Sequence, residues 1–337
     1  MVPFTFLLGH NDHKENTMDT KSLASCLEAS APYCESIALI LHLVKNIFYF
    51  LFVLAFFVSA CERSVSFRLG DAAPKLVVEA TIENNQPPVV ILSTSFGYFS
   101  TIDPAALQSS FVRGADVFVS NGTVIHKLKE YAINFTNGYS GFYYSIDSSN
   151  LQSAFVGQLD HQYSLRIIAN GKEYTATTSI PKITKRIDSL WWKAAPPGND
   201  SDEVEVMVKA TDAPGYGDFI RYFTKRNSEP FYAGLNSVFD DQVIDGTTYT
   251  VQVERGWDRN INSGDRTSFF IRGDTVTLKL SNIDKPTFDF WRTMEYSYSS
   301  IGNPFSSPAK VLSNISGDAL GYFGGYASQT RSIIIPK

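Results

Sequence analysis

Residues 163–180 read Tyr-Ser-Leu-Arg-Ile-Ile-Ala-Asn-Gly-Lys-Glu-Tyr-Thr-Ala-Thr-Thr-Ser-Ile. Two runs rich in β-branched and aromatic side chains flank Asn170-Gly171, a pair that readily takes the two positive φ angles of a type I′ turn. The segment therefore predicts a β-hairpin with arms 163–169 and 173–180. The same texture extends outward. Residues 76–82, 89–93 after Pro87-Pro88, 116–120 and 143–146 are short runs of strand-forming residues separated by Gly, Pro, Asn and Asp. Residues 75–182 thus read as a β-sandwich of immunoglobulin-like size.

Pro181-Lys182 ends that pattern, and a second begins near Ile187. Within 204–210, Val204, Val206 and Val208 share one face of a half-buried strand while Glu205 and Lys209 take the other. Residues 219–224, 249–254, 268–271 and 275–280 predict further strands. One stretch departs from strand periodicity: Asp284 can cap a helix over 285–298, where Phe288, Trp291, Met294 and Tyr298 recur at three- and four-residue spacing. The expected fold class is mainly β, an N-terminal immunoglobulin-like sandwich (75–182) followed by a second β-rich domain (187–337) with one short helix.

Ahead of these lies an apolar run over 47–60, broken only by Ser59, with Lys45 just upstream and Val58-Ser59-Ala60-Cys61 at its end. Charged start, apolar middle and small-residue end are the parts of a secretory signal. The run is shorter than the roughly 20 apolar residues a spanning helix needs. Cysteine immediately after Val-Ser-Ala resembles a bacterial lipobox, so residues 44–60 are expected to be a signal peptide cut before a lipidated Cys61, with 61–74 as a tether. Residues 1–43 carry Cys26, Cys34 and three of the five histidines without a sustained period. They are expected to be an overextended gene model or disordered, Val44 serving as an alternative start.

Composition narrows the chemistry. Against 34 acidic residues the chain has 29 basic ones, a net charge of −5, and no basic patch for nucleic acid emerges from that balance. From Cys61 onward there is one cysteine and two histidines, His126 and His161. Thiolate or histidine-rich zinc sites, disulfide frameworks and Cys-His catalysis lack their parts. No Gly-x-Ser-x-Gly elbow supplies an acyl-transfer nucleophile. Glu203, Glu205, Asp240 and Asp241 are available carboxylates, yet nothing in the sequence brings a pair to the separation glycoside hydrolysis needs. The expectation is a protein that is not an enzyme and has no cofactor, calcium excepted.

Calcium enters through the stretch 258–265, where Asp258, Asn260, Asn262 and Asp265 offer side-chain oxygens at close spacing in a loop. Compared with an EF-hand, Gly264 sits one position late and Phe269 replaces the twelfth-position acid. The same residues are ordinary turn formers, so a metal loop and a plain hairpin loop both stand. Aromatic side chains supply a second candidate surface. Trp191 and Trp192 would point to opposite faces of a strand, leaving one free to stack on a sugar or other flat ligand, or placing one in each of two cores. Tyr322, Phe323 and Tyr326 lie among Gly321, Gly324 and Gly325, which reads either as an aromatic-glycine docking loop or as a tight crossover closing the last sheet.

Several stretches together carry a resemblance. They are the lipobox, Pro74-Lys75-Leu76-Val77-Val78-Glu79-Ala80, Gly273-Asp274-Thr275-Val276, and Phe288-Asp289-Phe290-Trp291. An ending follows, from Asn303-Pro304-Phe305 through Ser313-Asn314-Ile315 to Gly321-Tyr322-Phe323-Gly324-Gly325-Tyr326. In this order they resemble the Bacteroidota lipoproteins grouped as domain of unknown function 4249, over most of 75–337. The resemblance implies an outer-membrane lipoprotein, often encoded beside a TonB-dependent receptor, with no established enzymatic activity or defined ligand. Cys61 is followed by Glu62 and Arg63 rather than by several acids, so the membrane face stays open. The leading expectation is a lipid-anchored accessory or binding protein working with such a transporter in nutrient uptake on a small-molecule or glycan ligand. A structural or adhesive surface protein and, third, a carbohydrate-active enzyme are the alternatives.

Overall fold

In the computed structural model the described residues are 42–50, 73–97, 100–135, 138–259, 268–301, 303, 305 and 310–337. The lipidation site Cys61, most of the expected signal peptide and Asn260, Asn262 and Asp265 of the calcium-like loop lie outside them. Contacts divide the chain into two units, Met1–Leu69 and Gly70–Lys337. Of the first, helix α1 (42–50) is described. No described helix is long and apolar enough to cross a membrane.

The second unit is organised by strict alternation in its first strand. In β1 (Leu76–Glu83), Val78, Ala80 and Ile82 are fully buried, while Glu79, Thr81 and Glu83 point to the other face. β1 pairs antiparallel with β2 (Val89–Thr94) and parallel with the last strand, β16 (Leu320–Ile334). Outside β2 come β6 (Ser140–Ser145) and β5 (Lys129–Asn134). On the other side of β16 lie β15 (Thr275–Ile283), β11 (Phe219–Arg226) and β12 (Tyr232–Asp240). These eight strands form one sheet, in the order β12-β11-β15-β16-β1-β2-β6-β5.

Two four-stranded sheets cover the same face of this large sheet. The first, β4-β3-β7-β8, is built from β3 (Asp116–Ser120), β4 (Ile125–Lys127), β7 (His161–Ala169) and β8 (Lys172–Ile180). Asn170 and Gly171 join β7 to β8 with φ of 50° and 75°, the expected hairpin geometry. Val117, Val119, Tyr163, Leu165 and Ile167 pack there against Val78, Ile82, Leu92 and Phe323. The second contains β9 (Arg186–Ala194), β10 (Glu203–Thr211), β13 (Thr248–Val253) and β14 (Phe270–Ile271). Val204, Val206 and Val208 of β10 do share a buried face, meeting Ile220 and Tyr222 of β11 and Leu278 and Leu280 of β15. Glu205, expected on the solvent side, is buried with its carboxylate 2.6 Å from the Lys193 ammonium.

The chain is therefore mainly β with sandwich-like sheets. Residues 181–185 mark the passage from one four-stranded sheet to the other, but they do not divide the large sheet, which takes strands from both sides of that point. Local periodicity reports strands and not their distant partners, so the parallel β1–β16 pairing is not visible in it.

β16 also corrects the reading of Tyr322, Phe323 and Tyr326 as a loop. All three are buried within a 15-residue strand that contributes to both sandwiches. Glycine is depleted in strands, and three glycines in six residues masked this one. Two of them are required by close approach. Gly321 has φ +96° and a Cβ there would strike the Val78 carbonyl; a Cβ on Gly325 would strike the Ser179 carbonyl of β8, which crosses at backbone distance.

The opposite face of the large sheet is left for helix α3 (Lys285–Ser299), the longer companion of the seven-residue α2 (Pro104–Ser110). Asp284 caps α3 by accepting from the Thr287 amide, and its other oxygen accepts from Thr178 Oγ1 and the Ser179 amide, fastening the helix start to β8. The buried residues of α3 are Thr287, Phe288, Phe290 and Glu295, whereas Met294 is exposed. Relative to the expected stripe the helix is rotated, because Phe290 stacks on Tyr322 (4.4 Å between ring centroids) and Phe288 meets Phe219 (4.6 Å).

Candidate functional site

Where α3 stops short of covering the outer face, a cavity of about 520 Å³ opens. Its floor follows from the alternation that builds the cores. In each strand the residues between the inward-facing hydrophobic ones point here: Glu79, Thr81 and Glu83 from β1, Arg221 and Phe223 from β11, Lys279 from β15, Tyr322 and Tyr326 from β16. Trp291 of α3, residues 231–233 at the start of β12 and residues 257–259 form the walls.

Arg221 is the most constrained group. Its guanidinium lies 3.3 Å from the Trp291 ring centroid and 4.7 Å from that of Phe223. Nε donates to Ser237 Oγ (3.1 Å) and Nη1 to Tyr326 Oη (3.3 Å). Behind it, the buried Glu295 carboxylate accepts from both the amide and the hydroxyl of Ser237 and lies 3.6 Å from Arg259, whose Nη2 also donates to the Gly234 carbonyl at 2.9 Å. Tyr326 Oη in turn accepts from Trp291 Nε1 (3.1 Å) and donates to Tyr322 Oη (3.3 Å). Helix, β11, β12 and β16 are thus tied into one polar network beneath the cavity.

Lys279 sits 3.1 Å from Glu83 and within 5.1 Å of the Phe223 and Phe231 ring centroids. Glu79 is reached by solvent through the cavity mouth, yet protein surrounds it on most sides. That desolvation pushes its carboxyl above the ordinary carboxylate value, against the pull of the Arg221 guanidinium. Burial also drives the Tyr322 phenol well up, so it stays a neutral donor and acceptor. Three acids, Glu79, Glu83 and Asp258, face three bases, Arg221, Arg259 and Lys279, and the formal charge of the lining cancels.

Convergent polar groups and a shifted carboxyl distinguish this cavity from a second cleft of about 600 Å³ between β10 and β13 on one side and β11, β12 and β15 on the other. That cleft is lined largely by hydrophobic side chains of the second core, such as Val208, Ile220 and Leu278.

Of the residues singled out from sequence, Tyr322, Tyr326 and Asp258 come together at the cavity. Phe323 faces the other way, into the first core. Trp191 is about one-third exposed on β9, and Trp192 packs against the second core under the Arg272 guanidinium; neither lines the cavity. His126 is buried with Nδ1 2.8 Å from Ser153 Oγ and Nε2 accepting from the Asp147 amide, and His161 Nε2 lies 2.8 Å from the Asn121 carbonyl oxygen; both are structural. Sequence reasoning passed over Glu79, Arg221, Lys279, Glu295 and Trp257. A weak signal existed in β1, where charged residues alternate with a fully apolar set.

Among the described residues, Asp212, Asp241 and Asp245 form the group of acids close enough to share a cation, with carboxylate oxygens within 4.8 Å of one another. Lys185 already places an ammonium 2.8 Å from Asp212, both side chains fully buried. Asp241 accepts from the Gly217 and Asp218 amides and Asp245 from the Gly215 amide. The cluster works as a clasp between two loops with lysine as its cation. Desolvation, with Asp212 and Asp241 close by, raises the Asp218 carboxyl.

Fold and site together define a β-sandwich protein with a small-molecule-sized cavity on the open face of its shared sheet. The chain belongs to the family described as Domain of unknown function (DUF4249), which it matches over residues 62–332. No curated protein matches it in sequence. The match runs through both four-stranded sheets and the whole of the cavity lining.

Proposed function

We propose that this protein is a lipid-anchored binding protein of the Bacteroidota outer membrane that captures a nutrient in the outer-face cavity and partners a TonB-dependent transporter. The observation that carries the binding role is the cavity itself, with Arg221 held between Trp291 and Phe223 and fixed by Ser237 and Tyr326. A site whose polar groups are locked before the ligand arrives loses little further freedom on binding. Support for the anchor comes from Val58-Ser59-Ala60-Cys61 at the end of the apolar run. Acyl chains on Cys61 would hold the β-unit at a membrane surface. An adhesive protein has no need of a recessed, charge-balanced cavity, which favours capture over adhesion.

Extraction of the native protein in gentle detergent tests the partnership. A TonB-dependent receptor is expected to accompany it, and Cys61→Ser is expected to release the chain from membranes. Isolation free of any receptor, together with an adhesion defect and normal nutrient growth in a deletion strain, would contradict the proposal.

A further inference from the structure

The cavity's composition selects among ligand classes, on the reading that it is the binding site. Glu79, Glu83 and Asp258 repel an anion; Arg221, Arg259 and Lys279 repel a cation. An extended peptide commonly binds by adding a strand to a free sheet edge. Here β15 lies between β11 and β16 and β1 between β2 and β16, while β16 pairs with β1 over Leu320–Tyr326 and with β15 over Tyr326–Ile334 and has its Phe323 amide and carbonyl held by the Asn314 side chain, so the floor is a poor place for strand addition. What the floor offers instead are fixed donors and acceptors side by side: Arg221 and Lys279 beside Glu79 and Glu83, with the Tyr322 hydroxyl, which accepts from Tyr326, still carrying its own proton to donate. A hydroxyl group donates and accepts at the same atom, so it fits such a mixture without bringing charge. Aromatic walls at Phe231, Trp257 and Trp291 supply apolar contact for the C–H faces of a ring.

We infer that the cavity binds a neutral saccharide, its hydroxyls meeting the Glu79, Lys279 and Tyr322 side of the floor and its ring faces the aromatic walls. The volume, about 520 Å³, lies within the range of small-molecule sites, so the ligand is a short oligosaccharide or the end of a longer one.

The test is calorimetric titration of the full chain in detergent with three sets of probes: neutral gluco-, manno- and xylo-configured di- and trisaccharides, tri-galacturonate, and uncharged tripeptides. At least one neutral saccharide is expected to bind saturably and tri-galacturonate at least tenfold more weakly. Lys279→Met combined with Glu83→Gln keeps the charge balance, and Trp257→Phe keeps an aromatic ring while shrinking the wall. Each is expected to weaken the saccharide at least tenfold with the melting temperature held, while Trp191→Ala, outside the cavity, binds as wild type. Tripeptide or tri-galacturonate binding without saccharide binding would overturn the ligand class and leave the binding role standing. Saccharide binding untouched by both cavity variants would overturn the location. Binding of no probe, with the receptor still co-purifying, would overturn the cavity as a saccharide site and leave the partnership intact.

Discussion

Phe323→Ala probes the junction of the whole molecule. The ring is fully buried, faces the first core and sits opposite Ala80 in the parallel β1–β16 pairing. Truncating such a side chain loses its transfer free energy and leaves a cavity, about 3–5 kcal/mol together. For a unit of this size each kcal/mol lowers the melting temperature by roughly 2–4 °C, so a fall of about 6–20 °C is expected. The four tryptophans, Trp191, Trp192, Trp257 and Trp291, all lie beyond residue 185, so their emission reports on the second sandwich and the cavity. β16 pairs with β1 through its first half, Leu320–Tyr326, and with β15 through its second, Tyr326–Ile334. Damage in the first core must therefore reach the second, and the tryptophan-monitored melt should fall together with the melt followed by far-ultraviolet circular dichroism. A drop in the dichroism melt with the tryptophan melt unmoved would refute the continuous sheet as the cooperative unit.

Other outcomes follow from single contacts. Lys185→Met leaves Asp212 as an unpaired buried charge and should cost about 3–5 kcal/mol in denaturant titration; a loss under 1 kcal/mol would mean that another cation serves the clasp. Gly325→Ala forces a Cβ into the Ser179 carbonyl and should destabilise by at least about 1–3 kcal/mol, and a neutral effect would contradict the close crossing of β8 over β16. Glu79 has a folded value above its unfolded one, so between the two the folded state holds more protons and stability declines as pH rises upward from the ordinary carboxylate range. Glu79→Gln should remove that decline, seen as melting temperatures that converge with wild type at low pH and exceed it toward neutrality; parallel profiles would show that the carboxyl is not desolvated.

Legibility in the sequence tracked the range of the interaction. The β7–β8 hairpin is announced by Asn170-Gly171, and the start of α3 by Asp284, because both depend on residues within a few positions. The alternation of β1 is equally local. β16 was hidden by its glycines, whose purpose appears only once Val78 and Ser179 are seen pressing against them. The rotation of α3 depends on Tyr322, a partner far along the chain that no helical period encodes. For the site, Tyr322 and Tyr326 were noticed for their aromatic character, but Glu79 and Arg221 meet them only because β1 pairs with β16 and β11 with β15. Four separate strands donate the floor, and a linear pattern holds no record of that convergence.

The most direct test of the cavity as the working site is a crystal structure of the protein soaked with the tightest-binding neutral saccharide. Density for the sugar is expected over Tyr322 between Trp257 and Trp291, with hydroxyls in hydrogen-bond reach of Glu79 and Lys279. Density for the sugar at any other place, with this cavity holding only solvent, would contradict the account.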